Sequence, residues 1–463
     1  MHFEQFYLGS LAHASYLLVC GEEAVVVDPQ RDVEIYLETA KRHGATIRHV
    51  FETHLHADFV SGHNELALRT GATIYIGPNS GATVPHVAVH DGFELQVGTA
   101  RIRVLETPGH TPESICLLVT DEEKSTQPWA VLTGDTLFVG DVGRPDLSKA
   151  FSTPVLAGML FDSLHNKLLK LSDEVIVYPG HGAGSLCGRN LGTSRSSTIR
   201  TERLTNYALQ IRTRDEFIHQ LTTNLPPRPD YFPHDAQINR AGAPALQDLP
   251  KLTAVKAQEL SQILADGGIA IDVRTAEEFA AGHVPRSINI PLSGQFASWA
   301  GALVDLNSRP ILIANATEEL EEARTRLARI GLDLERGYLG GGVQAWKNAG
   351  FEFKSFEQIR VRDLSAQIDS AGPCLLDVRR EAEWQAGHIG GAVHHPLDGF
   401  KANLPDLDRS ARVFVMCKGG YRSAIACSLL LRAGFKDVIN VIGGFDAWNK
   451  AGLPVVTEDE IAA

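Results

Sequence analysis

The second half of the chain contains the same domain-sized pattern twice, and that duplication restricts its architecture more than any other feature. Ile271-Asp272-Val273-Arg274-Thr275-Ala276-Glu277-Glu278-Phe279, with Gly282-His283-Val284 and Asn289-Ile290-Pro291-Leu292, comes first. It returns as Leu376-Asp377-Val378-Arg379-Arg380-Glu381-Ala382-Glu383-Trp384, with Gly387-His388-Ile389 and His395-Pro396-Leu397. Gly341-Gly342-Val343-Gln344-Ala345-Trp346 likewise matches Gly443-Gly444-Phe445-Asp446-Ala447-Trp448. Each copy alternates short apolar runs with helical patterns, which implies a parallel sheet wrapped by helices. The copies are assigned to residues 251–355 and 356–463, and residues 1–250 are read as a separate front domain with a C-terminal linker. A chain of 463 residues is long enough for about two to four domains.

In the front domain, β runs repeatedly end in His or Asp at a turn. Tyr16–Val19 and Ala24–Asp28 form a hairpin of buried strands. A helix from Asp32 to His43 closes at Gly44, and strand His49–Phe51 leads into Glu52-Thr53-His54-Leu55-His56-Ala57-Asp58-Phe59. Two imidazoles and a carboxylate at every second position past a strand end can face one cavity, held by rigid flanking elements. A helix from Ser61 to Arg69 follows. Strands are predicted at Thr73–Ile76, Ile102–Leu105, Ile115–Thr120, Ala130–Thr133 and Glu174–Tyr178. His110, Asp135 and His181 lie in the turns at their ends. Such recurrence fits two sheets sandwiched by helices with a site at one rim. A helical stretch from Thr198 to about Leu221 precedes Leu225-Pro226-Pro227-Arg228-Pro229, which is too proline-dense for an element. The segment up to Pro250 reads as an extended linker packed on the front domain.

A formal charge of -13 argues against nucleic acid or anionic membrane as a main partner. No run approaches the roughly 20 apolar residues that span a bilayer, and the start lacks the features of a secretory signal. Six cysteines with no C-x-x-C pair point to reduced thiols in a cytoplasmic protein rather than a disulfide scaffold. Cys417 stands apart. Between strand Val413–Met416 and helix Ser423–Arg432 lies Cys417-Lys418-Gly419-Gly420-Tyr421-Arg422-Ser423, whose loop N–H groups can surround the sulfur at a helix N-terminus. Lys418 and Arg422 add positive charge, so a thiolate there can accept and pass on sulfur. In the first copy Asn315-Ala316-Thr317-Glu318-Glu319 occupies the corresponding place. An amide cannot carry sulfur and the acids repel anions, so that domain is expected to be inactive. Cys427, within the following helix, reads as core.

The His54–Phe59 tract resembles the His-x-His-x-Asp-His signature of the metallo-β-lactamase fold, with Phe59 where the last His would stand. The resemblance implies an αββα metallo-β-lactamase fold in front of two rhodanese-like α/β domains with parallel sheets. It also implies His54, His110 and Asp135 as metal ligands. Two His and one carboxylate leave open positions, the ferrous oxygenase arrangement. The dinuclear hydrolases of this fold add a second ion through Asp58, the residue at 59 and His181, and Phe59 cannot ligate.

Three further stretches resemble persulfide dioxygenases: Thr107-Pro108-Gly109-His110-Thr111-Pro112-Glu113-Ser114, Gly140-Asp141-Val142-Gly143-Arg144-Pro145-Asp146-Leu147 and His181-Gly182-Ala183-Gly184-Ser185-Leu186-Cys187-Gly188. That likeness implies one Fe(II) per chain, O₂ and a thiol persulfide such as that of glutathione or coenzyme A, with sulfite as product. His56, Asp58 and His181 then act by hydrogen bonds around the ligands. Both copies of the repeat resemble rhodanese sulfurtransferases, with sulfite or thiosulfate as partner of Cys417. The rival reading is a zinc thioester hydrolase of glyoxalase II type.

Cys187 is a candidate second sulfur carrier. Arg144, Arg195, Arg200 and Arg203 are candidates for holding a substrate carboxylate. His13, His43, His63, His86, His90 and His165 are read as ordinary side chains. A homodimer is the oligomeric expectation.

Overall fold

Apolar runs punctuated by turns build two six-stranded sheets in the first half of the chain. The computed structural model describes residues 1–225, 228–333, 337–368 and 374–457. Contacts divide it into two units, Met1–Leu249 with Ala328–Leu332, and Pro250–Leu327 with Asp333–Ala463.

The first sheet runs β1 (His2–Leu8), β2 (His13–Cys20), β3 (Glu23–Val27), β4 (Thr46–Glu52), β5 (Thr73–Ile76), β6 (Val87–Ala88) in spatial order. The hairpin strands pair antiparallel and the strands from β3 onward pair parallel. In the second sheet β7 (Glu94–Val97), β8 (Ala100–Glu106), β9 (Ile115–Asp121), β10 (Ala130–Gly134), β11 (Ile176–Pro179) and β12 (Ser197–Thr198) are neighbours in sequence order.

Tyr16, Val25 and Phe51 from the first sheet and Val104, Leu117 and Leu132 from the second fill the space between them. Helices Glu34–Arg42 and His63–Thr70 cover one outer face through Tyr36, Ala40 and Leu66. Helices Thr153–Asn166 and Arg214–Thr222 cover the other through Leu160, Leu164 and Phe217. Each buried leucine, valine or phenylalanine among them stabilises the fold by about 2 kcal/mol. This is the αββα sandwich expected from the strand pattern.

Three features differ from the sequence reading. The helical stretch after Thr198 is three helices, Ile199–Thr205, Tyr207–Gln210 and Arg214–Thr222. Asn206 interrupts it in an extended conformation, because its side chain caps the next helix and also donates to the Asp141 carbonyl. The segment assigned as linker carries a helix, Phe232–Ala241, whose Phe232, Asp235 and Asn239 are buried in the first unit. Its Pro226–Pro227 pair lies outside the described residues. Strand β1, half-buried throughout, has no strong apolar alternation to announce it.

The duplication is reproduced strand for strand. One five-stranded sheet has the order β13 (Thr253–Val255), β17 (Gly337–Leu339), β16 (Ile311–Ile313), β14 (Ala270–Asp272), β15 (Ile288–Asn289). The other follows β18 (Gln358–Arg360), β22 (Asp437–Ile442), β21 (Arg412–Met416), β19 (Cys374–Asp377), β20 (Val393–His394). All pairings are parallel.

The repeated Asp-Val-Arg motif has a structural cause. Arg274 Nη2 lies 2.6 Å from Asp272 and donates to the Gly282 carbonyl at 2.9 Å. Arg379 repeats this with Asp377 at 2.7 Å and Gly387 at 2.9 Å. Each buried arginine ties a strand end to the Gly-His turn.

In the first copy the His283 ring stacks on Phe279 at 4.1 Å. Burial lowers its imidazole to about 4, against the opposite pull of the Phe279 carbonyl. Between its ordinary value and pH 4 the unfolded chain therefore binds a proton that the folded domain does not. Stability is expected to rise with pH through that window and to fall as pH drops, by up to about 3 kcal/mol. Urea-unfolding midpoints between pH 4 and 7 should show this slope flattened in His283→Asn.

Candidate metal centre and sulfur loop

Strand β4 delivers the histidine tract, and a carboxylate at the end of β3 fixes its path. Asp28 follows β3 with a left-handed backbone, φ 51°. It accepts the Thr53 N–H at 2.7 Å and the Thr53 hydroxyl at 2.8 Å. Its Oδ1 is 3.2 Å from His56 Nε2, with Glu52 Oε2 at 3.5 Å from the same nitrogen. Burial opposes the charge on His56, but Asp28 and Glu52 prevail and push it up to about 8. Glu52 also accepts the Ser61 hydroxyl at 2.6 Å and lies 3.3 Å from His63 Nδ1. The sequence placed His63 on an ordinary helix face, whereas it is fully buried in this network.

His54, His110 and Asp135 converge, their donor atoms within 4.8 Å of one another. Asp135 Oδ2 is 3.8 Å from His54 Nε2 and 3.4 Å from His110 Nε2. Burial, with neighbouring histidines, holds His54 well below its ordinary value, and burial lowers His110. Both rings are therefore in the neutral, ligating form. His110 Nδ1 donates to the Arg144 carbonyl at 2.9 Å, leaving Nε2 bare toward the centre. His54 Nε2 and Asp135 Oδ2 are buried without a hydrogen-bond partner. Stranded donors of this kind are what a divalent cation satisfies, so the residues present fit a metal ion.

The other oxygen of Asp135 faces a different neighbour. Oδ1 lies 2.7 Å from His181 Nδ1, and His181 Nε2 lies 2.8 Å from Asp58 Oδ2. Against burial, the Asp135 and Asp58 carboxylates hold His181 well above its ordinary value. Phe59 is buried with its ring 4.0 Å from His13 and 4.3 Å from His56, and 6.4 Å from His181. A carbon ring thus occupies the place a third imidazole of the tract would take. The backbone closes tightly around the centre. A Cβ on Gly143 would overlap the Asp135 carbonyl, and one on Gly180 would sit 2.7 Å from Asp135 Oδ1.

Several candidates from the sequence lie elsewhere or act differently. Arg144 donates to Asp146 at 2.6 and 2.8 Å and to the Leu186 carbonyl at 3.3 Å, while its N–H binds the Cys187 carbonyl. It links two loops beneath the centre rather than offering its charge to a substrate. Arg200 pairs with Glu174 at 2.9 Å and Arg203 with Asp173 at 3.2 Å, ahead of β11, whereas His181 follows that strand. Neither belongs to the site. Arg195 is exposed and lies 4.3 Å over the Tyr7 ring, and Tyr7 packs beside Gly182 in the His181 loop. Cys187 joins Asp58 and His181, their donor atoms within 4.8 Å.

Two residues beside the site were not read as part of it. His13 is buried against Phe59, and neither ring nitrogen has a hydrogen-bond partner. Asn239 donates to the carbonyls of His56 and Phe59 at 2.8 Å each and accepts the Ser61 N–H at 2.8 Å. A signal for Asn239 existed only as a helical pattern inside the proline-rich segment. Asn239→Ala is expected to destabilise the first unit by about 3 kcal/mol, since three buried polar groups lose their partner. Chemical denaturation followed at the first transition checks this.

In the last domain Cys417 directly follows β21, and helix Tyr421–Arg432 starts after the glycine turn. The Gly420 N–H points at Cys417 Sγ at 3.1 Å, and the Ser423 hydroxyl lies 3.5 Å from it. Lys418 is exposed at the loop. Arg422, expected to lend its charge to the sulfur, interacts electrostatically with Cys417 and is also held in a two-pronged pair with Glu383, both contacts 2.7 Å.

The middle domain is built otherwise. Asn315 lies two residues past the end of β16, its helix starts at Thr317, and Glu319 accepts the N–H groups of Asn315 at 2.8 Å and Ala316 at 3.3 Å. The chain's own carboxylate fills the anion position, and Asn315 Nδ2 donates to Glu278 at 2.8 Å.

Residues 8–181 match the Metallo-beta-lactamase superfamily, and residues 256–349 and 360–451 match the Rhodanese-like domain. The hydroxyacylglutathione hydrolase of Francisella tularensis subsp. novicida (strain U112) is 30% identical over 183 residues, 39% of this chain and 68% of that protein. A metallo-beta-lactamase from Staphylococcus aureus subsp. aureus COL is similar in structure, with TM-score 0.66 and 34% identity, covering 73% of this chain and 98% of that chain. The ETHE1 structure from Myxococcus xanthus is 33% identical with TM-score 0.46, covering 52% of this chain and 99% of that chain.

Proposed function

Since the chain belongs to the metallo-beta-lactamase superfamily and carries two rhodanese-like domains, we propose that it is a persulfide dioxygenase joined to a sulfurtransferase. Its front unit oxidises a low-molecular-weight thiol persulfide, of glutathione or coenzyme A, to thiol and sulfite. The balance is RSSH + O₂ + H₂O → RSH + SO₃²⁻ + 2 H⁺. Its last domain passes sulfane sulfur between Cys417 and sulfite or thiosulfate, Cys417–S–S⁻ + SO₃²⁻ → Cys417–S⁻ + S₂O₃²⁻.

One observation carries this reading. Phe59 is buried at the position of a ligating imidazole, so the tract supplies no third donor toward His181. His54, His110 and Asp135 would hold a single Fe(II), which supplies oxygen-activating redox chemistry at open positions when bound. The Arg144 carbonyl keeps His110 in the ligating tautomer, and Asp28 and Asn239 hold the tract in register. Arg195 on Tyr7 is the remaining cation for a substrate carboxylate. Around Cys417, the Gly420 N–H and the helix N-terminus stabilise negative charge on the sulfur. Six free cysteines fit a reducing compartment, and no described helix is long and apolar enough to cross a membrane.

A second reading, the zinc thioester hydrolase of glyoxalase II type, is favoured by the likeness to the Francisella hydroxyacylglutathione hydrolase. Two assays on one preparation separate them: O₂ uptake with glutathione persulfide by iron-loaded protein, and cleavage of S-lactoylglutathione by zinc-loaded protein. The dioxygenase reading expects the first and about one iron per chain. Thioester cleavage without O₂ uptake would replace it.

A further inference from the structure

The helix that follows the sulfur loop carries three polar side chains that reach outside their own domain. Tyr421, Ser428 and Arg432 recur at i, i+7 and i+11, which places them on one face of helix Tyr421–Arg432. All three meet the middle domain, which lies in the same unit. The Tyr421 hydroxyl donates to the Pro291 carbonyl at 2.9 Å, and the Ser428 hydroxyl accepts the Asn289 N–H at 3.0 Å. Arg432 donates to the carbonyls of Arg286 at 2.5 Å and Gly268 at 3.0 Å.

The turn that receives Tyr421 follows β15 and is itself fixed. Arg326, from helix Thr317–Ala328, donates to the carbonyls of Leu292 and Gly294, the latter at 2.7 Å. Gly294 has a left-handed backbone, φ 73°, and a Cβ there would lie 3.3 Å from the Tyr421 ring. Burial pushes the Tyr421 hydroxyl up, so it stays protonated and able to donate. From this geometry we infer that the middle domain is a positioning part of the sulfurtransfer site, and that Tyr421 is the residue through which it acts. The inference rests on the reading of Cys417 as the sulfur carrier.

Tyr421 stands between the two residues that frame the sulfur. Before it is Gly420, whose N–H points at Cys417 Sγ at 3.1 Å, and after it is Arg422, held by Glu383. A ring anchored at its hydroxyl end fixes the backbone at its other end, and with it the direction of the Gly420 N–H. Misplacement of such a group by about 1 Å can cost up to about 10²-fold in rate. Ser428 and Arg432 lie about two and three turns further along the helix. They hold the two domains together without touching the loop, so the interface supplies its own control.

The test compares Tyr421→Phe with Ser428→Ala in the full-length protein, since each removes one hydrogen bond to the middle domain. Sulfur transfer from thiosulfate to cyanide gives kcat and KM, and hydrogen exchange read by mass spectrometry gives the protection of the Cys417–Ser423 amides. Tyr421→Phe is expected to lower kcat about tenfold, to leave KM for thiosulfate within about twofold, and to speed exchange in the loop. Ser428→Ala should leave all three within about twofold of the parent. Arg326→Met, a change made wholly in the middle domain, should lower kcat in the same sense as Tyr421→Phe. Circular dichroism shows whether each variant is folded, and Arg326→Lys takes the place of Arg326→Met if that one is not. No loss in Tyr421→Phe, an equal loss in Ser428→Ala, or no loss on changing Arg326 overturns the role. A parent protein that transfers no sulfur refutes the reading of Cys417 instead, and loop exchange in Tyr421→Phe then decides whether the tether exists.

Discussion

Replacing Asp135 with asparagine is expected to empty the His54–His110 site of iron and to lower O₂ uptake by about 10³-fold or more. Partners that only orient a ligand typically carry 10–100-fold, and Asp135 is placed to do more than orient. Its Oδ2 is the carboxylate oxygen facing both imidazoles, and its Oδ1 holds His181 at 2.7 Å. An amide keeps the shape but removes the charge from both sides at once. The charged His181 then faces one carboxylate instead of two, in a fully buried setting where an unmatched charge costs about 3–5 kcal/mol. Metal analysis and an oxygen electrode on the same preparation give the answer. Iron retained near one per chain, with uptake within tenfold of the parent, would show that Asp135 is not the ligand.

Cys417→Ser should bring thiosulfate sulfurtransfer to background, a loss of about 10³-fold or more, because a hydroxyl cannot form the persulfide that the reaction passes through. The converse change is equally informative. Asn315→Cys is expected to restore nothing measurable, although it places a thiol in the loop just past β16 of the middle domain. There the helix begins at Thr317, two residues past Asn315, whereas it begins at Tyr421, four past Cys417. The shortened loop has no room for a cradle, and the Glu319 carboxylate already occupies the N–H groups. Cyanide or sulfite trapping of transferred sulfur measures both variants. Sulfur transfer by Asn315→Cys within tenfold of the last domain would mean that loop length and Glu319 are not what silences it.

The strand ends were legible because the residues that matter stand at turns between strong apolar runs. His54, His110, Asp135 and His181 each follow or precede such a run, and the sandwich brings those turns to one rim. Cys187, read as a candidate sulfur carrier, meets Asp58 and His181 there. What sequence spacing could not convey is pairing between distant charges. Arg200, Arg203 and Arg422 looked available in a one-dimensional reading, yet acids on neighbouring elements, Glu174, Asp173 and Glu383, already engage them. Asn239 was hidden for a related reason. A single amide holding three backbone groups of a remote loop has no local signature, and the surrounding prolines argued against a helix. His13 looked ordinary because its neighbours, His56, Phe59 and His181, come from distant turns, and His63 because its partner Glu52 stands eleven residues back at the end of β4.

Asp135 serves two directions with one carboxylate, and that has a thermodynamic corollary. Any event that draws electron density from one of its oxygens weakens what the other can offer. The hydrogen bond on the His181 side and metal affinity on the His54 side are consequently linked, and reciprocity requires each to alter the other by the same factor. Iron dissociation constants measured with Asp58 intact and in Asp58→Asn, where His181 keeps only the Asp135 carboxylate, should therefore differ.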